Sequence, residues 1–305
     1  NGFSSASQFL RRRVARTFSG YWPFLLLAVF LIYRYQPDLL AAKNWWLSTT
    51  FIPNPLATTE VILPERFALP VAWTLLYEVY FYLAFCLYIA FRQQASLGIV
   101  VWAIVILVVA TCYGSWNGVF SVEKFLDSSL VYSLYLSPYC LEFLAGCLIG
   151  EFFRKRKIRW PILWLGIGLT VTVFTGWINS KWFDGALNMG YYMQIRVLLL
   201  TTASVGFVLW ALWLDQEGKR IWPRLCIALG GGTYALYLSH TLWLKYLLLS
   251  GINNWFQQHN LIVVGYWLAS VFIILISTLY YLWGERRLHH GFRKLLGVVG
   301  KTSKS

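Results

Sequence analysis

Residues 69–91 read LPVAWTLLYEVYFYLAFCLYIAF, a stretch in which Glu78 is the one ionisable side chain outside tyrosine and cysteine. Crossing the hydrocarbon core of a bilayer takes about 20 mostly apolar residues in a helix, because only a helix satisfies its own backbone hydrogen bonds there. A run this long and this apolar predicts a membrane span. Comparable runs fall at about 18–35, 97–113, 130–150, 160–178, 193–214, 227–249 and 261–283, which makes eight spans. The predicted fold class is therefore all-α: a polytopic membrane helix bundle. Composition agrees, with 58% hydrophobic, 19% aromatic and 12% charged residues in 305 and a mean hydropathy of +0.58. A soluble domain carries about 25% charged residues. Disordered, coiled-coil and disulfide-stapled secreted classes are excluded by the same figures.

The formal net charge is nevertheless +14, from 26 Lys/Arg against 12 Asp/Glu. In a soluble protein that surplus would point to nucleic acid; here its distribution over the loops matters. Nineteen of the 26 fall in alternate loops, chiefly Arg11, Arg12, Arg13 and Arg16, the Arg154–Arg159 run, Lys219–Arg224 and the tail from Arg286. Five fall in the other set. By the positive-inside rule both termini of this chain are expected in the cytoplasm, and no nucleic-acid partner is implied. Residues 36–68 then form the largest outer loop. Its Trp45-Trp46 pair prefers the bilayer interface, and Pro53, Pro55 and Pro64 oppose a long helix. Two readings stand for it, an interfacial connector or the cap of a site. The five cysteines (Cys86, Cys112, Cys140, Cys147, Cys226) sit in or beside spans without metal-ligand spacing, and read as small apolar residues; no metal site is expected.

A charge near the bilayer centre costs at least about 2.5–3.5 kcal/mol, so each one needs a reason. Glu78 shares a helix face with Thr74 and Tyr82 at i−4 and i+4, so hydroxyls flank the carboxyl. His240 continues a stripe from Thr233 and Tyr237, and a buried imidazole donates, accepts or shuttles protons. Glu142 stands one turn after Pro138, which is expected to bend the span, and near Gly146 and Gly150, a small-xxx-small pair suited to a close helix approach. Arg196 and Lys245 lie near span ends, where long stems snorkel; Arg196 is also placed to meet an anion. His289-His290 reads as a solvated cluster facing headgroups. Gly230-Gly231-Gly232 reads as a flexible helix start, with a phosphate cradle as the other option.

At these residues the chain resembles the acyltransferase-3 family of membrane acyltransferases. Trp73–Tyr82 (WTLLYEVYFY) is similar to the family's W-S-L-S-x-E-E-x-F-Y segment at Trp, Leu, Glu, Phe and Tyr, with Val79 in place of the second Glu. Gly2-Phe3 through Arg16 resembles a Gly-Phe segment followed by a basic run. Glu142–Gly146 resembles a Glu-Phe-small-Gly segment, Thr233–His240 resembles S-Y-x-I-Y-L-x-H, and Glu285 is similar to a terminal E-x-P without its proline. These segments occur in the family's order over nearly the whole chain. Family members usually have ten core spans, the first bearing an Arg and a His proposed to be essential. The eight spans here match the later eight, so 1–305 is expected to be a single acyltransferase domain lacking an N-terminal pair and inactive alone. The principal histidine has no match here, and His240 does not take its place.

What the resemblance implies is transfer of an acyl group, acetyl from acetyl-coenzyme A above all, to a hydroxyl of a cell-surface polysaccharide or glycolipid. No bound cofactor is implied; the acyl-CoA is a substrate. Glu78 and His240 are the expected catalytic positions. Arg11, Arg12, Arg13 and Arg16 would hold the donor's phosphates, while Tyr82, Tyr237, Glu142 and Arg196 would contact substrates. The expected location is the inner or plasma membrane, multi-pass. The residues themselves leave a second class open, a non-enzymatic carrier or flippase of lipid-linked sugars, since intramembrane charges and aromatic walls suit sugar passage equally well.

Overall fold

A 34-residue helix, α1 (Gly2–Tyr35), is the first element of the computed structural model, which describes residues 2–91, 95–117, 129–137, 139–153, 156–181, 194–218 and 224–297. Hydropathy begins this span only at residue 18 and puts the arginines in a flanking segment. No breaker separates residues 2 and 22, so the helix runs straight through Arg11–Arg16 and carries them on its surface. Pro23 lies inside it, leaving the Ser19 carbonyl without its helical donor, which membrane helices tolerate.

The chain divides into two units, residues 1–54, 61–91 and 222–305, and residues 55–60 and 92–221. In the first, α1 packs against α3 (Ala72–Ala90), α9 (Thr233–Leu249) and α12 (Arg286–Leu295). Its buried positions Thr17, Tyr21, Phe24, Ala28 and Ile32 recur at three or four residues and form one stripe. α9 is preceded by α8 (Arg224–Gly231) and followed by α10 (Ile252–Gln258) and α11 (Ile262–Tyr280). α11 passes through a π-helical turn, Tyr281–Glu285, into α12. Gly231 abuts the ring of Tyr281, and a Cβ on Gly232 would stand 3.2 Å from Thr278 Cα. These glycines are helix contacts rather than a flexible start or a phosphate cradle.

Residues 36–54 and 61–68 fold back onto α1. The short helix α2 (Trp45–Thr50) begins at Asn44, whose side chain accepts the Leu47 amide at 2.9 Å. The buried Tyr21 hydroxyl donates to Ser48 O at 2.7 Å, and Ser48 Oγ accepts the Ala68 amide at 3.1 Å. Leu47, Phe51, Ile62 and Phe67 are buried.

The second unit contains α4 (Ala95–Asn117), α5 (Tyr139–Phe153), α6 (Pro161–Lys181) and α7 (Gln194–Gln216), with a π-helical turn at Val131–Tyr135 and one isolated bridge, Thr58 to Ser129. α6 and α7 approach most closely at Gly168 and Gly206: a Cβ on Gly206 would stand 2.6 Å from Trp164 O and 2.8 Å from Gly168 N. Gln216 closes the other end of this pair, accepting the Ile158 amide and donating to Arg156 O, both at 3.0 Å. Gly146 and Gly150 were expected to admit a neighbour, but an added Cβ meets nothing within 4 Å at either. Gly206→Ala is therefore expected to lower stability by about 2 kcal/mol, the cost of overpacking a tight contact. Gly146→Ala is expected to be neutral or slightly stabilising. Thermal unfolding in detergent distinguishes them, and equal midpoints would show that the α6–α7 contact is not tight.

Six helical segments among the described residues are long and apolar enough to cross a membrane: Ser4–Tyr35, Ala72–Ala90, Val131–Phe153, Pro161–Lys181, Val197–Gln216 and Ile262–Leu295. Of the eight spans expected, α9 has 17 residues and α4 contributes the shorter apolar segment Leu97–Ile106. The all-α bundle stands; six of its members meet the length by themselves. The bend expected at Pro138 lies outside the described residues.

Candidate functional site

In the first unit the α3 stripe forms as its spacing predicts. Tyr82 donates its hydroxyl to Glu78 Oε1 one turn away. Tyr82 is buried and Glu78 half-buried. The hydroxyls of Thr74 and Tyr237 are hydrogen-bonded to each other, which ties α3 to α9, and Tyr237 also donates to Val71 O at 3.3 Å. This contact is possible because Thr74 is the first polar position on the α3 face that meets α9.

His240 stands one turn after Tyr237, its ring 5.9 Å away. Its Nδ1 is 2.6 Å from Tyr237 O and 3.2 Å from Leu236 O. A carbonyl oxygen only accepts, so Nδ1 carries the hydrogen. In the neutral ring Nε2 then holds the lone pair. The helix's own backbone thus sets the tautomer of His240 and leaves a basic nitrogen for other work.

The four arginines of α1 separate by helical position. Arg13 lies over Phe9 at 5.3 Å and over Tyr82 at 5.4 Å, so its guanidinium is stacked on the ring that bonds Glu78. Arg16, one turn on, acts electrostatically on Glu285 and Tyr234. Arg12, one turn before Arg16, shares its face, while Arg11 lies farther round the helix; all four are exposed. In the linear sequence the four form one basic cluster; on the helix Arg13 is stacked on the rings of Phe9 and Tyr82.

Several polar residues join this cluster that the sequence reading does not assign to it. Tyr234 donates to Thr17 O at 3.0 Å and lays its ring on Gly20. A buried hydroxyl pair, Ser239 and Ser277 at 2.9 Å, joins α9 to α11. Glu285 is 8% exposed at the end of the π-helical turn, and its Oε2 has no hydrogen-bond partner among the described residues. The extra residue of a π turn rotates the helix beyond it, a device common at functional positions. His289 is half-buried with Nδ1 3.5 Å from Ser19 Oγ, whereas His290 is exposed. The expected solvated His289-His290 cluster is thus corrected: one of the pair packs on α1. Spacing alone does not foretell this, because the π turn at Tyr281–Glu285 shifts the α11 register before His289.

Glu142 and Arg196 belong to the second unit. Glu142 is exposed on α5; Arg196 occupies the first turn of α7, and its side chain lies outside the described residues, as does that of Cys226. Lys245 is exposed on α9 and lines a cavity with Lys43.

The first unit is thus a helical bundle with a hydrogen-bonded Glu78–Tyr82 pair on α3 and the His240 imidazole on α9. The chain belongs to the acyltransferase-3 family: that family's acyltransferase domain matches residues 2–282. It is a multi-pass membrane protein. Exopolysaccharide production protein ExoZ of Rhizobium meliloti (strain 1021) is 26% identical over 238 residues, 68% of this chain and 66% of that relative. The match thus spans just under two thirds of the relative's length. No solved structure matches the chain at a significant level.

Proposed function

We propose that this protein transfers an acyl group, acetyl from acetyl-coenzyme A, to a hydroxyl of a cell-surface polysaccharide or glycolipid. The observation that carries the reading is the pairing, inside one unit, of a hydrogen-bonded Glu78–Tyr82 couple with a His240 whose Nε2 is free to accept. In the reaction the acceptor oxygen bonds to the thioester carbonyl carbon, the C–S bond breaks, and the acceptor's proton ends on the coenzyme A sulfur. The protein has to hold the hydroxyl, handle that proton and stabilise the oxyanion. Glu78 and His240 are the groups able to hold the hydroxyl or its proton. Tyr237, bonded to Thr74, lines the same approach.

Arg11 and Arg12, exposed on α1, suit the phosphates of the donor, while Arg13 is occupied with Phe9 and Tyr82. Between Arg13 and Tyr35, α1 rises about 33 Å at 1.5 Å per residue, comparable to the hydrocarbon thickness. Polar groups stand along that path, so one helix reaches from a donor side to an acceptor side. The distribution of cations supports placing both termini, and the donor, on the cytoplasmic face of the inner membrane.

The test is reconstitution, in proteoliposomes, of the full-length protein with the N-terminal pair of spans that the resemblance implies, with labelled acetyl-coenzyme A inside and glycan outside. Ester-linked label on the glycan is expected. Movement of a lipid-linked sugar without label transfer would establish a carrier instead. In the same assay Arg11→Ala combined with Arg12→Ala is expected to raise the KM for acetyl-coenzyme A about tenfold with kcat little changed, the mark of lost ground-state binding. An unchanged KM would leave those arginines with topology alone.

A further inference from the structure

Where α1 ends, the first unit encloses a second polar feature that acyl transfer does not use. A cavity of about 50 Å³ is lined by Ile32, Gln36, Lys43, Thr241, Leu242 and Lys245, among others. Two cations face one small space there. Lys43 donates to Glu65 O at 2.7 Å, which uses one of its three hydrogens. Burial, and next the charge of Lys245, hold the Lys43 ammonium below the ordinary lysine range; the nearby Glu65 opposes this and Arg66 adds to it. Two like charges held together favour an anion between them. The cavity wall also carries buried polar atoms without protein partners among the described residues: Thr241 Oγ1 and Gln36 Oε1. A threonine hydroxyl donates; an amide oxygen accepts.

We propose that this cavity is a binding site for a hydroxyl-bearing oxyanion, of the kind found on an acidic sugar or a glycerophosphate headgroup. Lys43, Lys245 and the Thr241 hydroxyl take the anionic oxygens, and Gln36 Oε1 takes the neighbouring hydroxyl. A lone anion satisfies the lysines but leaves Gln36 Oε1 without a donor. A neutral sugar satisfies Gln36 but leaves the two ammonium groups facing each other. At about 50 Å³ the space holds a few water volumes, so the ligand inserts its charged end and the rest remains outside. Binding at this cavity is measurable without any acyl donor.

The experiment is thermal unfolding of the purified protein in a neutral detergent at constant ionic strength. Sodium glucuronate, glycerol 1-phosphate, inorganic phosphate and glucose are titrated separately against sodium chloride. A saturable rise in midpoint is expected with glucuronate, with glycerol 1-phosphate or with both, and none with glucose. Glucuronate alone identifies a sugar carboxylate as the source, and glycerol 1-phosphate alone a lipid headgroup. Lys43→Gln and Lys245→Gln are each expected to weaken the response about tenfold, and Gln36→Leu is expected to weaken it while sparing inorganic phosphate. Lys245 is exposed, so its variant keeps the fold and reports on binding. The proposal is overturned if neither hydroxylated anion gives a saturable rise, if both lysine variants respond as the unsubstituted protein does, or if inorganic phosphate binds as tightly as the better of the two hydroxylated anions.

Discussion

Glu78→Gln is expected to reduce acyl transfer about 100-fold, or about 2.7 kcal/mol in the barrier, while leaving expression and unfolding midpoint close to normal. The reason lies in the geometry of one helical turn. Glutamine has the shape of glutamate and retains an oxygen for the Tyr82 hydroxyl, so the α3 face and the Arg13 stack over Tyr82 persist. What is lost is the capacity to carry a negative charge or exchange a proton. Tyr82→Phe makes the complementary change. It keeps the carboxyl and removes its donor, at about 1 kcal/mol for an ordinary hydrogen bond, and also preserves the ring under Arg13. If Glu78 acts only as a link between hydroxyls, the two variants will show similar small losses. A much larger loss for Glu78→Gln assigns the chemistry to the carboxyl, and unchanged transfer in Glu78→Gln removes it from the mechanism.

His240→Asn is the second large effect expected, again about 100-fold in kcat. Asparagine places an amide NH near the position of Nδ1 and can still donate to the Tyr237 carbonyl, which His240 meets at 2.6 Å. It has nothing at the position of Nε2. His240→Gln reaches further and places a polar atom close to that position, so it is expected to recover part of the activity. A role confined to satisfying the backbone predicts the reverse, with Asn normal and Gln defective.

Much of this is legible in the sequence because it depends on short-range periodicity. Thr74, Glu78 and Tyr82 fall on one face by their spacing alone, and so do Tyr237 and His240. The apolar runs foretell the helices because a bilayer tolerates no other backbone. What the sequence does not show is where a run of charge still belongs to a helix. Arg11–Arg16 and Glu285–His289 read as flanking segments, since hydropathy falls there; the backbone continues because nothing breaks it. Close helix approaches are misplaced for a related reason. A small-xxx-small pattern permits contact but does not create it: among the described residues an added Cβ at Gly146 or Gly150 meets nothing within 4 Å, while Gly168 and Gly206, far apart in the chain, meet each other.

The sequence by itself determined the solvent, the helical class and the partners at i±4, all of which follow from residue type and a fixed helical repeat. Only the tertiary structure decided that Arg13 stacks on Tyr82, that Thr74 meets Tyr237, that Glu285 and His289 turn toward α1, and that Lys43 and Lys245 face one cavity. Each of these joins residues many positions apart. Such pairings depend on which helix faces pack together, and helix packing is set by shape complementarity summed over whole faces rather than by any local pattern.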